Sequence, residues 1–514
     1  MEWQSCFPFD QVRPAQADGL DFICRSLAEA DDVFLEATTG VGKSGIAMAL
    51  ARMFAAQGRA TYITTTKIAL ENQYLRDFAR FGLRQLHSKK HYPCPDCWSC
   101  DVGARAQESR QGKKFSRCSL GADCTYRCAK AAFQAAPFGI ANAAFIVASA
   151  RFAPDWTPRH LAIFDEAHLL ADTIAGGYSV EIRNTEIDYF PSESDEPACL
   201  RDHYAFKLDV RIRKLQEELD QTDTSDPDIQ RICQRLERAE AKRHNLAEIL
   251  SGDPSRWVFD QQPDVLRIMP LWATNHAPGI LSRIGTKRVY LSATLAGFEL
   301  QARQLGIDPQ RARYLALPSP FPVENRLIHI WPIVRWDYRN PAPAIAETCC
   351  ALEKILSLHP TDRGLVHVSS YRQAREIVEQ SRNPRLITHI NAGEKDFRLS
   401  QLYAQSGTVL VSPSSHEGLD LYDERSRFQV IAKLPFASLG DKRVKRRMET
   451  DRSWYSQHTA QKFVQACGRS IRSESDYAAT YVLDAGFPGF YRRAGQFLPP
   501  YIREALRSSE AIPL

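Results

Sequence analysis

Three groups of residues in this 514-residue chain have types and spacings suited to chemistry on phosphates. The first is Glu36-Ala37-Thr38-Thr39-Gly40-Val41-Gly42-Lys43-Ser44. Gly40 and Gly42 let backbone amides close round an anion, and a helix starting there adds its own N–H groups. Lys43 would reach the β- and γ-phosphates of a nucleoside triphosphate, and the Ser44 hydroxyl would sit on Mg²⁺. The strict loop pattern has Gly at position 37. Ala37 departs from it but is small enough for the loop to close. The second group is Asp165-Glu166-Ala167-His168. Asp165 would hold Mg²⁺, directly or through water. Glu166 would orient and deprotonate the attacking water, and His168 would link this site to the second half of the chain. The third is Gln465-Ala466-Cys467-Gly468-Arg469-Ser470-Ile471-Arg472. Arg469 and Arg472 stand three apart on an expected helix and share a face. Two guanidinium groups there can reach a γ-phosphate across a cleft, although a solvated basic face has the same spacing.

Lesser signals surround these. Phe7 or Phe9 could stack on a base, and Gln16 of Arg13-Pro14-Ala15-Gln16 could read an adenine edge. The hydroxyls of Thr64-Thr65-Thr66-Lys67, at a strand end and helix start, suit nucleic-acid phosphates. The basic run Asp441–Arg447 suits either phosphates or solvent. Six of the 13 cysteines fall between Cys94 and Cys128, spaced C-x2-C-x2-C, then 17 residues, then C-x5-C-x3-C. In a reducing compartment such a cluster reads as metal ligands. Zn²⁺ and an iron–sulfur cluster both take thiolates, and composition does not separate them.

The elements that must position these groups are legible as alternating apolar runs. Val33-Phe34-Leu35 reads as a buried strand and Ile46–Ala51 as the helix after the phosphate loop. Ala60–Thr64, Leu161–Phe164 and Arg288–Leu295 read as further strands. Residues 131–150 read as a helix and then a strand ending at Phe145-Ile146-Val147-Ala148. Leu208, Ile212, Leu215 and Leu219, then Ile229 to Leu250, keep a helical beat and predict an antiparallel hairpin. From about 325, strands at Gly364–Val368, Leu386–Thr388, Thr408–Ser412, Gln429–Ala432 and Thr480–Leu483 alternate with helices, which indicates a parallel sheet. Pro318, Pro320 and Pro322 stiffen the link between the two series.

Composition bounds the rest. Hydrophobic residues make up 44% and charged residues 25%, as in a globular protein, and a net charge of +5 permits a nucleic-acid partner without arguing for one. No apolar run approaches the roughly 20 residues that span a bilayer. The opening residues carry no signal-peptide pattern, so a cytoplasmic, membrane-free protein is expected.

In this order the motifs resemble those of the DinG/XPD-like branch of superfamily 2 helicases. The matching stretches are Phe7 to Gln16, Ala37 to Ser44, Thr64 to Lys67, Asp165 to His168, Ser292 to Thr294, Ser369-Ser370-Tyr371, Glu417 to Asp420, and Gln465 to Arg472 with Asp476. The resemblance implies an α/β fold of two RecA-like lobes that bind ATP and Mg²⁺ between them. Phe9, Arg13, Gln16, Thr39, Gly40, Gly42, Lys43, Ser44, Asp165, His168, Asp420, Gln465, Arg469 and Arg472 would line that site. It also implies a [4Fe–4S] cluster, with Cys94, Cys100, Cys118 and Cys124 as the expected ligands; Cys97 and Cys128 are the alternatives to Cys100 and Cys124. The domains expected are lobe one at 1–87, 131–170 and 263–318, a cluster domain at 88–130, a helical arch at 171–262, and lobe two at 319–514. An exonuclease of the kind that some relatives carry is not expected before Phe7. The implied activity is 5′→3′ movement on single-stranded DNA, with unwinding of forked duplex or an RNA–DNA hybrid, by a monomeric motor in repair or a larger nucleic-acid complex. The alternative is a metal-stabilised nucleic-acid-binding ATPase that acts as a switch or accessory motor without unwinding by itself.

Overall fold

The computed structural model describes residues 3–94, 98–99, 107–108, 114–115, 123–153, 155–187, 196–222, 228–250, 252–413, 423–468 and 476–508. Among them are two seven-stranded parallel sheets. The first runs, in spatial order, Arg313–Ala316, Asp32–Glu36, Gly285–Ser292, Arg159–Asp165, Thr61–Thr65, Phe138–Asn142, Arg84–Gln85. Its strands are apolar on both faces because helices cover both. Alternate residues serve separate cores: Val33 and Leu35 pack with Ile46, Phe78 and Ile163, while Phe34 packs with Tyr62, Ile174 and Tyr290. The second sheet runs Leu386–Thr388, Val409–Ser412, Gly364–His367, Phe428–Ile431, Ala479–Asp484, Ile328–Val334, Leu506–Ser508. The expected α/β architecture of two RecA-like lobes is therefore present.

Strand order does the positioning. Asp32–Glu36 and Arg159–Asp165 flank Gly285–Ser292 in register, with Glu36 opposite Ser292 and Asp165 opposite Leu291. The phosphate loop, the acidic box and the Ser292–Thr294 turn thus leave one edge of the sheet, the carboxyl edge where ligands of open α/β sheets sit.

Two local expectations are corrected. Phe145–Ala148 is not a strand: Phe138–Asn142 is the strand, and Ala143–Phe152 is a helix. Asn142 Oδ1 accepts from Ala144 N at 2.9 Å and caps that helix. A capped start turns a short apolar run helical, and periodicity alone cannot reveal it. The insertion after the acidic box is more than a helical hairpin. Pro197–Gln221 and Ile229–Leu250 form the pair. They sit on an antiparallel sheet ordered Val180–Arg183, Val265–Pro270, Trp257–Gln262. That pairing joins Trp257–Gln262 to Val265–Pro270.

The lobes meet along helix Arg452–Cys467, which the chain reaches in lobe two. Gln457 Nε2 donates to Leu295 O at 3.2 Å and Gly297 O at 3.0 Å, and Gln461 Nε2 donates to Leu295 O at 3.2 Å. Tyr501 Oη donates to Ala293 O at 3.1 Å. The basic run forms helix Lys442–Thr450, capped by Asp441, but its inner face contacts protein. Arg447 is buried, donating to Leu271 O at 2.6 Å and to Asp172 Oδ1 at 2.9 Å, and Arg443 lies 3.4 Å from the same carboxylate.

Candidate nucleotide-binding site

Between the lobes lies a cleft of about 1240 Å³, lined from lobe one by the phosphate loop and acidic box and from lobe two by Gln465, Gly468 and Tyr501. The phosphate loop's shape follows from its glycines. Gly40 and Gly42 have φ of 89° and 91°, where a side chain would be strained. A Cβ at Gly42 would also come within 2.3 Å of Gln16 Nε2. Ala37 is tolerated because it still belongs to the strand ladder: its N–H donates to Ser292 O at 2.8 Å, and its φ is not positive. Helix Lys43–Ala55 starts immediately after Gly42, aiming its first N–H groups at the cleft.

Lys43 Nζ donates to Ala37 O at 3.0 Å and Thr38 O at 3.5 Å, folded over the loop it would leave for a phosphate. The buried Thr38 Oγ1 has no hydrogen-bond partner among the described residues. Arg13 Nη1 donates to Gly40 O at 2.6 Å and Gln16 Nε2 to Gly42 O at 3.3 Å. These two therefore brace the loop from outside. Phe9, at 45% exposure, lines the cleft, whereas Phe7 is buried against Trp3.

Asp165 is buried with both oxygens held. Oδ1 accepts from Glu166 N at 3.0 Å and Oδ2 from Tyr74 Oη at 2.9 Å. Burial, then Glu166, raises the Asp165 carboxyl above the usual carboxylate range; the Lys43 charge opposes the shift. Glu166 has φ of 57°, a left-handed conformation costly for a residue with a Cβ, and strain of this kind collects at functional sites. Its Oε2 lies 3.4 Å from His168 Nδ1.

His168 crosses the cleft. Nδ1 lies 2.9 Å from Ser292 Oγ, and Nε2 lies 2.5 Å from Gln465 Nε2 of lobe two. Ser292 Oγ donates its proton to Thr294 O at 2.8 Å, so His168 Nδ1–H donates to Ser292 and Nε2 accepts from the Gln465 amide. The neighbouring Gly468 is so close to the phosphate loop that a Cβ there would sit 3.8 Å from Thr39 Oγ1. Of the predicted residues the structure thus joins Phe9, Arg13, Gln16, Thr39, Gly40, Gly42, Lys43, Ser44, Asp165, Glu166, His168 and Gln465 around one cleft. Arg469, Arg472 and Asp420 lie outside the described residues. Tyr74, Gln457, Gln461 and Tyr501 were missed. The 457, 461, 465 spacing of glutamines on one helix face was the available signal for two of them.

The set fits a magnesium nucleotide: a folded-back lysine, an orphaned threonine hydroxyl and a buried carboxylate are what its phosphates and metal would engage. For the cluster, Cys100 and Cys118 and the side chain of Cys94 lie outside the described residues, as does Cys97. Cys124 is buried at the start of helix Thr125–Ala135, and Cys128 is exposed. Thr125 Oγ1 donates to Pro93 O at 3.0 Å, so the chain next to Cys94 lies beside the chain next to Cys124, as thiolates sharing one metal centre require.

The fold and cleft define a two-lobed nucleotide-binding protein of the RecA type. Residues 352–504 match a family model described as the helicase C-terminal domain. The chain is 26% identical over 190 residues to the ATP-dependent DNA helicase YoaA of Escherichia coli, covering 36% of this chain and 29% of that protein. It is 34% identical over 110 residues to a regulator of telomere elongation helicase 1 homolog of Anopheles gambiae, covering 19% of this chain and 11% of that one. The matches thus span less than a third of either relative. Two solved structures share the fold. S. tokodaii Xpd4 has a TM-score of 0.60 at 14% identity, covering 96% of this chain and 100% of its own. A second, an XPD helicase, has a TM-score of 0.65 at 16% identity, covering 97% and 100%. These likenesses, a helicase C-terminal domain model in lobe two and the fold of XPD structures over nearly the whole chain, support the resemblance to DinG/XPD-like superfamily 2 helicases read from the motifs.

Proposed function

We propose that the protein is an ATP-dependent DNA helicase that moves 5′→3′ on single-stranded DNA and separates forked duplex or RNA–DNA hybrid. The observation that carries this reading is the His168–Gln465 contact, which ties the acidic box of one lobe to the other lobe across a nucleotide-sized cleft. Lys43 exchanges the carbonyls of Ala37 and Thr38 for β- and γ-phosphate oxygens. Ser44 and Asp165 would hold Mg²⁺, which would neutralise charge on the phosphates. Glu166 orients the attacking water and takes its proton. Arg469 and Arg472 follow Gly468 in sequence and are assigned to the γ-phosphate. Loss of that phosphate removes their anchor, and the lobes part. Single-stranded polynucleotide crosses both lobes, with Thr66 and Lys67 at the start of helix Ile68–Phe78 available to its phosphates. Cys94, Cys100, Cys118 and Cys124 hold an iron–sulfur cluster that braces a segment too small for its own core.

Lys43→Ala should abolish ATP turnover, and with it separation of a 5′-tailed duplex. Full turnover in that variant ends the motor reading; unwinding from a 3′ tail overturns the polarity. DNA-stimulated turnover without strand separation would favour the switch or accessory-motor alternative. Protein purified without oxygen should be brown and contain iron and sulfide. A colourless protein with stoichiometric zinc contradicts the cluster assignment.

A further inference from the structure

Tyr74 belongs to none of the recognised motifs, yet it touches the most buried carboxylate of the cleft. It lies on helix Ile68–Phe78, whose N-cap is Lys67, and is 2% exposed. Its hydroxyl donates to Asp165 Oδ2 at 2.9 Å. The other oxygen of Asp165 is held by the backbone next to it, so Tyr74 is the long-range hold on this group: 91 residues separate the two.

At its opposite end the same helix begins where the sequence suits nucleic-acid phosphates. Thr66 and Lys67 line the cleft, and the buried Thr66 Oγ1 has no hydrogen-bond partner among the described residues. An incoming phosphate oxygen would supply one. A helix moves as a rigid element, and the seven steps from Lys67 to Tyr74 span about 10 Å. A shift of about 0.6 Å is enough to take a 2.9 Å bond past the hydrogen-bond limit near 3.5 Å. The far end of the helix is braced too: Tyr74 packs on Phe78 with ring centroids 5.7 Å apart, and Phe78 on cleft-lining Phe9 at 5.6 Å.

We propose that Tyr74 is a positioning residue that couples polynucleotide contact at Thr66 and Lys67 to the placement of the Asp165 carboxylate. The proposal rests on the motor reading and names the physical link by which DNA would stimulate ATP turnover. Tyr74→Phe keeps the ring packing and removes only the hydroxyl. Two coupling factors are read: the stimulation of ATP turnover by oligo(dT), and the change in oligo(dT) affinity on adding Mg²⁺ and a non-hydrolysable ATP analogue, followed by fluorescence anisotropy. Coupling between binding sites is reciprocal and typically roughly 5- to 150-fold. Tyr74→Phe should bring the stimulation down at least about fivefold and move the affinity change towards one, while an effect confined to folding would leave both ratios intact. Thr66→Ala, at the other end of the helix, should also lose stimulation. Wild-type ratios in either variant overturn the proposal and leave the motor reading standing. A wild-type protein that neither binds oligo(dT) nor is stimulated by it overturns the motor reading, and this proposal with it.

Discussion

Ser292 decides the chemistry of His168. Because its hydroxyl proton is engaged by Thr294 O, the imidazole must donate through Nδ1 and accept at Nε2. A neutral ring then hands the position of the acidic box to Gln465. One hydrogen bond is worth about 1 kcal/mol, and a kcal/mol lost only in the transition state is roughly fivefold in rate. Gln465→Ala should therefore lower kcat for ATP about 5- to 10-fold with little change in KM. His168→Ala should lower it at least as much, because it also removes the bond to Ser292, and the double variant should be no worse than His168→Ala, whose contact with Gln465 is already gone. Steady-state kinetics on the four proteins checks this. Additive losses would mean that the two residues act separately. At this scale most of the site was legible. Phosphate binding needs Gly40, Gly42, Lys43 and Ser44 within one turn, and local spacing survives in sequence. Tyr74 and Tyr501 were not legible, because what defines them is a partner 91 or 208 residues away.

Among the elements, the inner parallel strands were mostly readable for the same reason that they are buried: both faces need apolar residues. Phe138–Asn142, Ile328–Val334 and the short strands Arg84–Gln85, Arg313–Ala316 and Leu506–Ser508 were not. The arch sheet was not. Its strands are four to six residues long, and the strong helical periodicity of Pro197–Gln221 and Ile229–Leu250 dominates the segment. The charge run at 441–447 was ambiguous because sequence does not say which face of a helix is covered. Here the Arg447 guanidinium lies over Trp272 and Trp454, at 4.9 and 5.0 Å from their centroids, and is paired with Asp172. Against the upward push of burial, Arg447 and then Arg443 hold the Asp172 carboxyl down to about 2. A lowered carboxyl stabilises the fold fully above its ordinary value of 3.8 and loses that contribution as pH falls towards 2. Asp172→Asn should lower the urea midpoint at neutral pH, and the gap to wild type should shrink across that acid window. The Asp172 side chain is 49% exposed, so the effect is smaller than that of a fully buried pair. A gap that stays constant with pH would assign the loss to packing.

For the whole molecule, the contacts along helix Arg452–Cys467 make the cleft a property of two lobes together. Gln457 and Gln461 hold the lobe-one turn at Leu295–Gly297, and Gln465, one turn further on, meets His168 inside the site. Nucleotide bound at Lys43 would therefore be felt in lobe two, and in the proposed function this is the step that would convert hydrolysis into movement. Amide hydrogen exchange, with and without Mg²⁺ and a non-hydrolysable ATP analogue, tests that claim most directly. The account predicts slower exchange both in the phosphate loop, Thr38 to Ser44, and at the end of the lobe-two helix, Val464 to Gly468, with neither change in Lys43→Ala. Protection of the phosphate loop alone, with Val464 to Gly468 unaffected, would contradict it.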